Sequence, residues 1–173
     1  MHLIHKKLGL LFLVLSLGTT TVAFSQSSEA KDPISKLFQL IKKEDIRLYA
    51  EYECISDDGG DKAIIDDKCL ARNLSELKAM GIFSTTYLEN LKKEYDSWKK
   101  DPELYNRDAD IYFLNQDPDP ISDYIKALGK AKVTTKNGTT HITLTLPNSE
   151  ASKLTYIVVS ENGAWKIESW TAQ

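Results

Sequence analysis

"AKVTTKNGTTHITLTL", residues 131–146, decides the fold. Its second half alternates strictly. Ile142, Leu144 and Leu146 fall on one face of an extended chain, and His141, Thr143 and Thr145 on the other, the period of a strand buried on one side. Asn137–Gly138 is a favoured two-residue hairpin turn, so the spacing predicts that a strand over "AKVTT" pairs with the strand over "HITLTL". Downstream, "KLTYIVVS" (153–160) and "AWKIESW" (164–170) form a second pair across the "ENG" turn at 161–163. The C-terminal third therefore reads as an antiparallel meander of four strands.

Working back from that stretch, the period changes to three and four. Asp32 suits a helix cap and Pro33 the first helical position, ahead of Ile34, Leu37, Phe38 and Ile41. After a charged break at "KKED" (42–45), Ile46, Leu48, Tyr49 and Tyr52 either continue that helix or start another. Asn73 with Glu76, and Thr86 with Glu89, make capping-box patterns before two further apolar seams. Gly81 suits the exit of the first of these helices and Pro102 stops the second. "DPIS" occurs at 32–35 and again at 119–122, where Ile121, Tyr124, Ile125 and Leu128 line a short helix ending at Gly129, with an edge strand as the alternative. Helices first and antiparallel strands last indicate an α+β domain, its N-terminal helices packed on one face of a C-terminal sheet.

The first 25 residues carry a cationic start (His5, Lys6, Lys7), an apolar run from Leu8 to Leu17 and a small-residue exit at Ala23 and Ser25. This is the pattern of an export signal, and the apolar run is short for a membrane span. Residues 26–31 read as a frayed mature terminus, and 32–173 as one domain. Loss of the signal takes the 22 basic side chains to 20 and leaves the 25 acidic ones, so the net charge moves from −3 to −5. A mildly acidic chain without a basic stripe is a poor partner for a phosphate backbone, which excludes nucleic acid from the expected partners. Cys54 and Cys69 stand 15 residues apart. In an exported chain such a pair is expected to be a disulfide, placing the protein in the periplasm or outside the cell.

Chemistry is harder to find. A Gly-x-Ser-x-Gly elbow, a phosphate-binding glycine loop, a dinucleotide fingerprint and zinc-hydrolase motifs are all absent, so no cofactor is expected. The one histidine after the signal, His141, lies on the polar side of a strand. Aspartates cluster between the cysteines, but an EF-hand frame started at Asp57 puts Lys62 where glycine is needed and Lys68 where the bidentate acid belongs. A solvated acidic loop is the expectation there, and no metal ligand is assigned. The stretch "DADIYFLNQDPD" (108–119) is the best candidate for a site. If Ile111–Leu114 form a buried strand, alternation aims Asp110, Tyr112 and Leu114 one way and Ile111 and Phe113 the other. Asp110 beside Tyr112 then offers a base with an oxyanion donor; the simpler reading is turn chemistry, with the aspartates accepting backbone hydrogen bonds. Trp165 shares a face with Ile167 and is expected in the core, whereas Trp170 falls opposite and is the better candidate for an exposed or pocket aromatic.

With its Asp108, Asp110, Gln116 and Asp117 block ahead of the sheet and its Gly163, Trp165 and Ile167 ending, the chain resembles the nuclear transport factor 2-like superfamily, and within it an exported bacterial family of unknown function. The cysteine loop departs from that family's pattern. The resemblance implies a cone-shaped fold, in which helices close one side of a curved sheet around an internal cavity. On that basis the expected function is non-catalytic binding of a small molecule by Asp110, Tyr112, Leu114, Gln116 and Asp117. The alternatives are an envelope partner-binding protein of the inhibitor or immunity type, using the acidic loop at Asp57, Asp58 and Asp61, and a cofactor-free isomerase or dehydratase built on Asp110 or Asp117. Pairing of two copies through their sheets is permitted.

Overall fold

The computed structural model describes residues 28–57, 63–102, 105, 111–114, 119–136, 139–146 and 152–173. Among them are four helices, a four-stranded antiparallel sheet and a separate two-stranded sheet. The chain is therefore α+β. The main sheet follows the sequence order β3 (Lys132–Lys136), β4 (Thr139–Thr145), β5 (Lys153–Glu161) and β6 (Ala164–Ala172). Lys136 pairs with Thr139, as the two-residue connection requires, although Asn137–Gly138 itself lies outside the described residues. At the next turn Asn162 and Gly163 both take positive φ, 52° and 78°, the backbone of a tight hairpin whose twist matches its strands.

Side-chain alternation sets the two faces of the sheet. Ile142 and Leu144 of β4, Leu146 just past its end, and Leu154, Tyr156 and Val158 of β5 are buried, and their neighbours His141, Thr143 and Thr155 look away from the core. Helix α1 (Asp32–Lys42) lies against that inner face, burying Ile34, Leu37 and Phe38. Phe38 meets Phe113, Tyr124 and Tyr156 at ring separations of 5.9, 6.0 and 5.9 Å. Tyr124 belongs to α4 (Ile121–Gly129), so the second "DPIS" opens a helix and the edge-strand alternative falls away. Ahead of α1 the chain is already tied down: Ala30 is buried, and Lys31 Nζ donates to Leu128 O at 3.0 Å.

Two helix starts differ from the capping-box reading. Helix α2 (Asp67–Met80) is capped by Asp66, whose carboxylate accepts from the Lys68 and Cys69 N–H groups. Asn73 is an interior residue of that helix and is buried. Helix α3 (Thr85–Lys100) is capped by Ser84, which accepts from Tyr87 N at 3.0 Å. The pattern of small polar residue and acid occurs inside both helices by composition, while the residue that precedes each first turn does the capping. Gly81 ends α2 in the left-handed region at φ 67° as expected. From there Ile82–Ser84 runs beside β6, with Ile167 N donating to Ile82 O and Ser84 N to Ile167 O, both at 2.8 Å.

Cys54 and Cys69 form a disulfide. It joins a 3-10 turn (Tyr52–Cys54) to the first turn of α2, and between them β1 (Ile55–Asp57) and β2 (Ala63–Ile65) pair antiparallel. The excursion between the cysteines is thus a small hairpin pinned at its base. Residues 58–62 lie outside the described residues, and with them Asp58 and Asp61 of the acidic loop. No helix among the described residues is long and apolar enough to cross a membrane.

Candidate functional site

Residues 111–114 are not a strand. Ile111, Tyr112 and Phe113 form a turn and all three are buried, while Leu114 takes φ 52° and is 40% exposed. A buried turn leaves carbonyls that must find donors, and here aromatic side chains of the sheet supply them. Trp170 Nε1 donates to Ile111 O at 2.8 Å and the Tyr156 hydroxyl to Tyr112 O at 3.1 Å. The Tyr112 hydroxyl in turn donates to Leu48 O at 2.7 Å. Tyr112 is fully buried, and burial pushes its phenol well above the ordinary value of 10.0, with Tyr87 and Glu51 nearby acting in the same direction. It is a strut of the core and does not share a face with Leu114. Asp110, Gln116 and Asp117, the other residues singled out from this stretch, lie outside the described residues.

What the turn does build is one wall of a cleft of about 270 Å³. Ile111 and Leu114 form that wall, Tyr87, Leu91 and Glu94 of α3 form another, and Glu168, Ser169 and Trp170 of β6 close the third. At its floor Glu51 is 2% exposed. The Tyr95 hydroxyl is shared between Glu51 Oε2 at 2.9 Å and Asn73 Oδ1 at 2.7 Å, and Asn73 Nδ2 donates to Arg47 O at 3.1 Å. A buried polar relay of this kind fixes its members in one arrangement.

Trp170 reaches the cleft through a β-bulge. Val158 pairs with Ile167 and Ile157 with Ser169, which leaves Glu168 as the extra residue on β6. Strict alternation would send Ile167 and Trp170 to opposite faces. The bulge returns Trp170 to the inner face opposite Tyr156, where its ring sits 5.3 Å from Tyr87 and 5.8 Å from Tyr112. Trp170 is thus half-buried at the cleft, on the inner face and not on the opposite face where strict alternation placed an exposed or pocket aromatic. Trp165 is only half-buried and lines a separate hollow with Pro33, Lys36 and Gly81.

The cleft thus offers carboxylates, an amide, hydroxyls and aromatic faces. His141 is on the far face of the sheet, opposite Thr134 and Ile157. Among the described residues no group of three or more His, Cys, Asp or Glu side chains is placed to hold a metal ion. Of the residues that line this cleft, the sequence reading singles out Leu114 and Trp170 and does not single out Glu51, Tyr87, Asn90 and Glu168. Glu51 sits within the stretch read as continuing one helix or starting another, and no motif reading touches Tyr87, Asn90 or Glu168. Compared with protein families, with characterised proteins and with solved structures, the chain matches none.

Proposed function

We propose that this chain is an exported, non-catalytic binding module that holds a small molecule in the cleft between α3, β6 and the turn at 111–114. The observation that carries the reading is the make-up of that cleft: apolar and aromatic surface from Ile111, Leu91, Tyr87 and Trp170 beside a few convergent polar groups, Glu51, Asn90 and Ser169. Concave sites of this composition are the usual form of small-ligand sites. Its size suits a compact ligand. The order of helices and then antiparallel strands is in keeping with kinship to the nuclear transport factor 2-like superfamily and with its cone-like architecture, in which the same side of the sheet holds ligands. The export-signal pattern of the first 25 residues and the disulfide support a periplasmic or extracellular setting.

Native mass spectrometry of the protein recovered from its host without refolding tests this. A discrete added mass, lost in Leu114→Asp and in Asn90→Ala, is the expected result. Tyr112 is unsuited to this test, because it is fully buried and a change there strikes the core. A bare chain, or an added mass that both variants retain, would overturn the cleft as the binding site.

A further inference from the structure

A second hollow, of about 460 Å³, lies on the opposite side of the sheet, away from the helices' core. Three lysines from three different elements reach it: Lys130 at the end of α4, Lys132 at the start of β3 and Lys153 at the start of β5. Its floor carries the hydroxyls of Thr143, Thr145 and Thr155. Strand register explains the convergence. Lys132 pairs with Thr143, Thr143 with Thr155, and Thr145 with Lys153, so these side chains stand in two adjacent rows on one face.

Among the described residues no acidic side chain lines the hollow, and none of the three ammonium groups has an ion-pair or hydrogen-bond partner. Gln173 also borders it. Even with a carboxylate at that residue, the described residues leave two of the three positive charges uncompensated. Other roles account for the lysines one at a time: Lys132 protects a sheet edge, and Lys130 complements a helix C-terminus. Neither accounts for Lys153, on an interior strand. The hydroxyls fit the same chemistry. Thr143 Oγ1 and Thr155 Oγ1 are 3.0 Å apart, so one hydroxyl donates to the other and the second keeps its proton for an acceptor in the hollow.

We propose that Lys130, Lys132 and Lys153, with Thr143, Thr145 and Thr155, form a binding site for a tetrahedral oxyanion of the phosphate type. Three mobile ammonium groups over a hydroxyl floor match an ion that has several acceptor oxygens and a charge of about −2 near pH 7. The patch is too small to track a nucleic-acid backbone. It is independent of the cleft, which lies on the other side of the sheet.

The test follows backbone amide shifts of the ¹⁵N-labelled protein while inorganic phosphate replaces chloride at constant ionic strength. Saturable shifts at Lys132, Thr143, Lys153 and Thr155 are expected. Each of Lys130→Gln, Lys132→Gln and Lys153→Gln should weaken binding about 2- to 5-fold, the scale of one exposed charge pair, and the triple variant should abolish it. Lys42→Gln and Lys68→Gln, elsewhere on the surface, should leave it unchanged. Cosedimentation with phosphatidylglycerol vesicles, against phosphatidylcholine vesicles, identifies the source of the oxyanion. Vesicle binding lost in the triple variant, without a response to free phosphate, assigns the site to a lipid headgroup. Equal shifts with phosphate and chloride together with no vesicle binding, or any binding that the triple variant retains with an unchanged amide pattern, would overturn the site.

Discussion

Tyr112 joins three parts of the molecule with one side chain and one carbonyl. Its hydroxyl donates to Leu48, its carbonyl accepts from Tyr156, and its ring packs against Tyr49, Phe83 and Trp170. Tyr112→Phe keeps the ring and strips the buried Leu48 carbonyl of its donor, so it should lower stability by about 1–2 kcal/mol in urea unfolding. The same residue gives a pH dependence. Its phenol is raised in the folded state, so the contribution is present in full below the unfolded value near 10 and is lost as pH rises toward the folded value. Stability should therefore fall above about pH 10, and fall less steeply in Tyr112→Phe; equal alkaline slopes for the two proteins would sink this account. The sequence points to Tyr112 for a different reason, an alternation that presumes a strand. What places its turn in the core is a pair of donors, Tyr156 lying 44 residues from Tyr112 and Trp170 lying 59 from Ile111, and no local pattern contains those.

At the scale of elements, hydrophobic period is a sound guide and phase is a weak one. Three strands of the meander are legible from periodicity, because a one-sided apolar face is a local property of a strand; β3, with no buried face, is legible only through the Asn137–Gly138 turn that pairs it with β4, and the helix after the second "DPIS" only beside an edge-strand alternative. The bulge at Glu168 is not legible, since "AWKIESW" alternates equally well with or without it. Its consequence is one of phase: the extra residue puts Ile167 and Trp170, three positions apart in sequence, on the same face. Deleting Glu168 would leave them two positions apart in a regular ladder, so both stay on the inner face and Trp170 keeps its place opposite Tyr156. The Trp170 bond to Ile111 and the stacking near Tyr87 are then retained. The deletion should therefore leave the tryptophan emission in place and cost little, whereas Trp170→Ala, which removes that bond and that stacking, should cost about 3 kcal/mol or more, in the range of truncating a large core aromatic. A Glu168 deletion that stays folded with its emission shifted to longer wavelength would mean that the bulge itself, and not the parity it sets, holds Trp170 in place. Helix starts fail for a related reason. Asn73 fits a capping box on paper, yet its side chain is held by Tyr95 and Arg47, partners that only the tertiary fold supplies.

Across the whole molecule, one apolar cluster runs from Ala30 through both disulfide cysteines to Ile167 on the last strand. Its parts are cross-tied at points remote in sequence: Lys31 to Leu128, Ser84 and Ile82 to Ile167, Thr85 to Glu161 and Trp170 to Ile111. A core that every helix and the main sheet share cannot lose one element without exposing the others, so unfolding should be a single cooperative transition with calorimetric and van't Hoff enthalpies in agreement. The disulfide acts on this unit mainly through the unfolded chain. It closes a loop of 15 residues, so reduction should lower stability by about 3 kcal/mol on the chain-entropy estimate. Both cysteines are buried in the shared core, and the reduced protein should still melt in one step, at a lower temperature. Two resolved transitions after reduction, with α2 and the β1–β2 hairpin losing amide protection first, would show instead that the bridge is what couples this segment to the sheet.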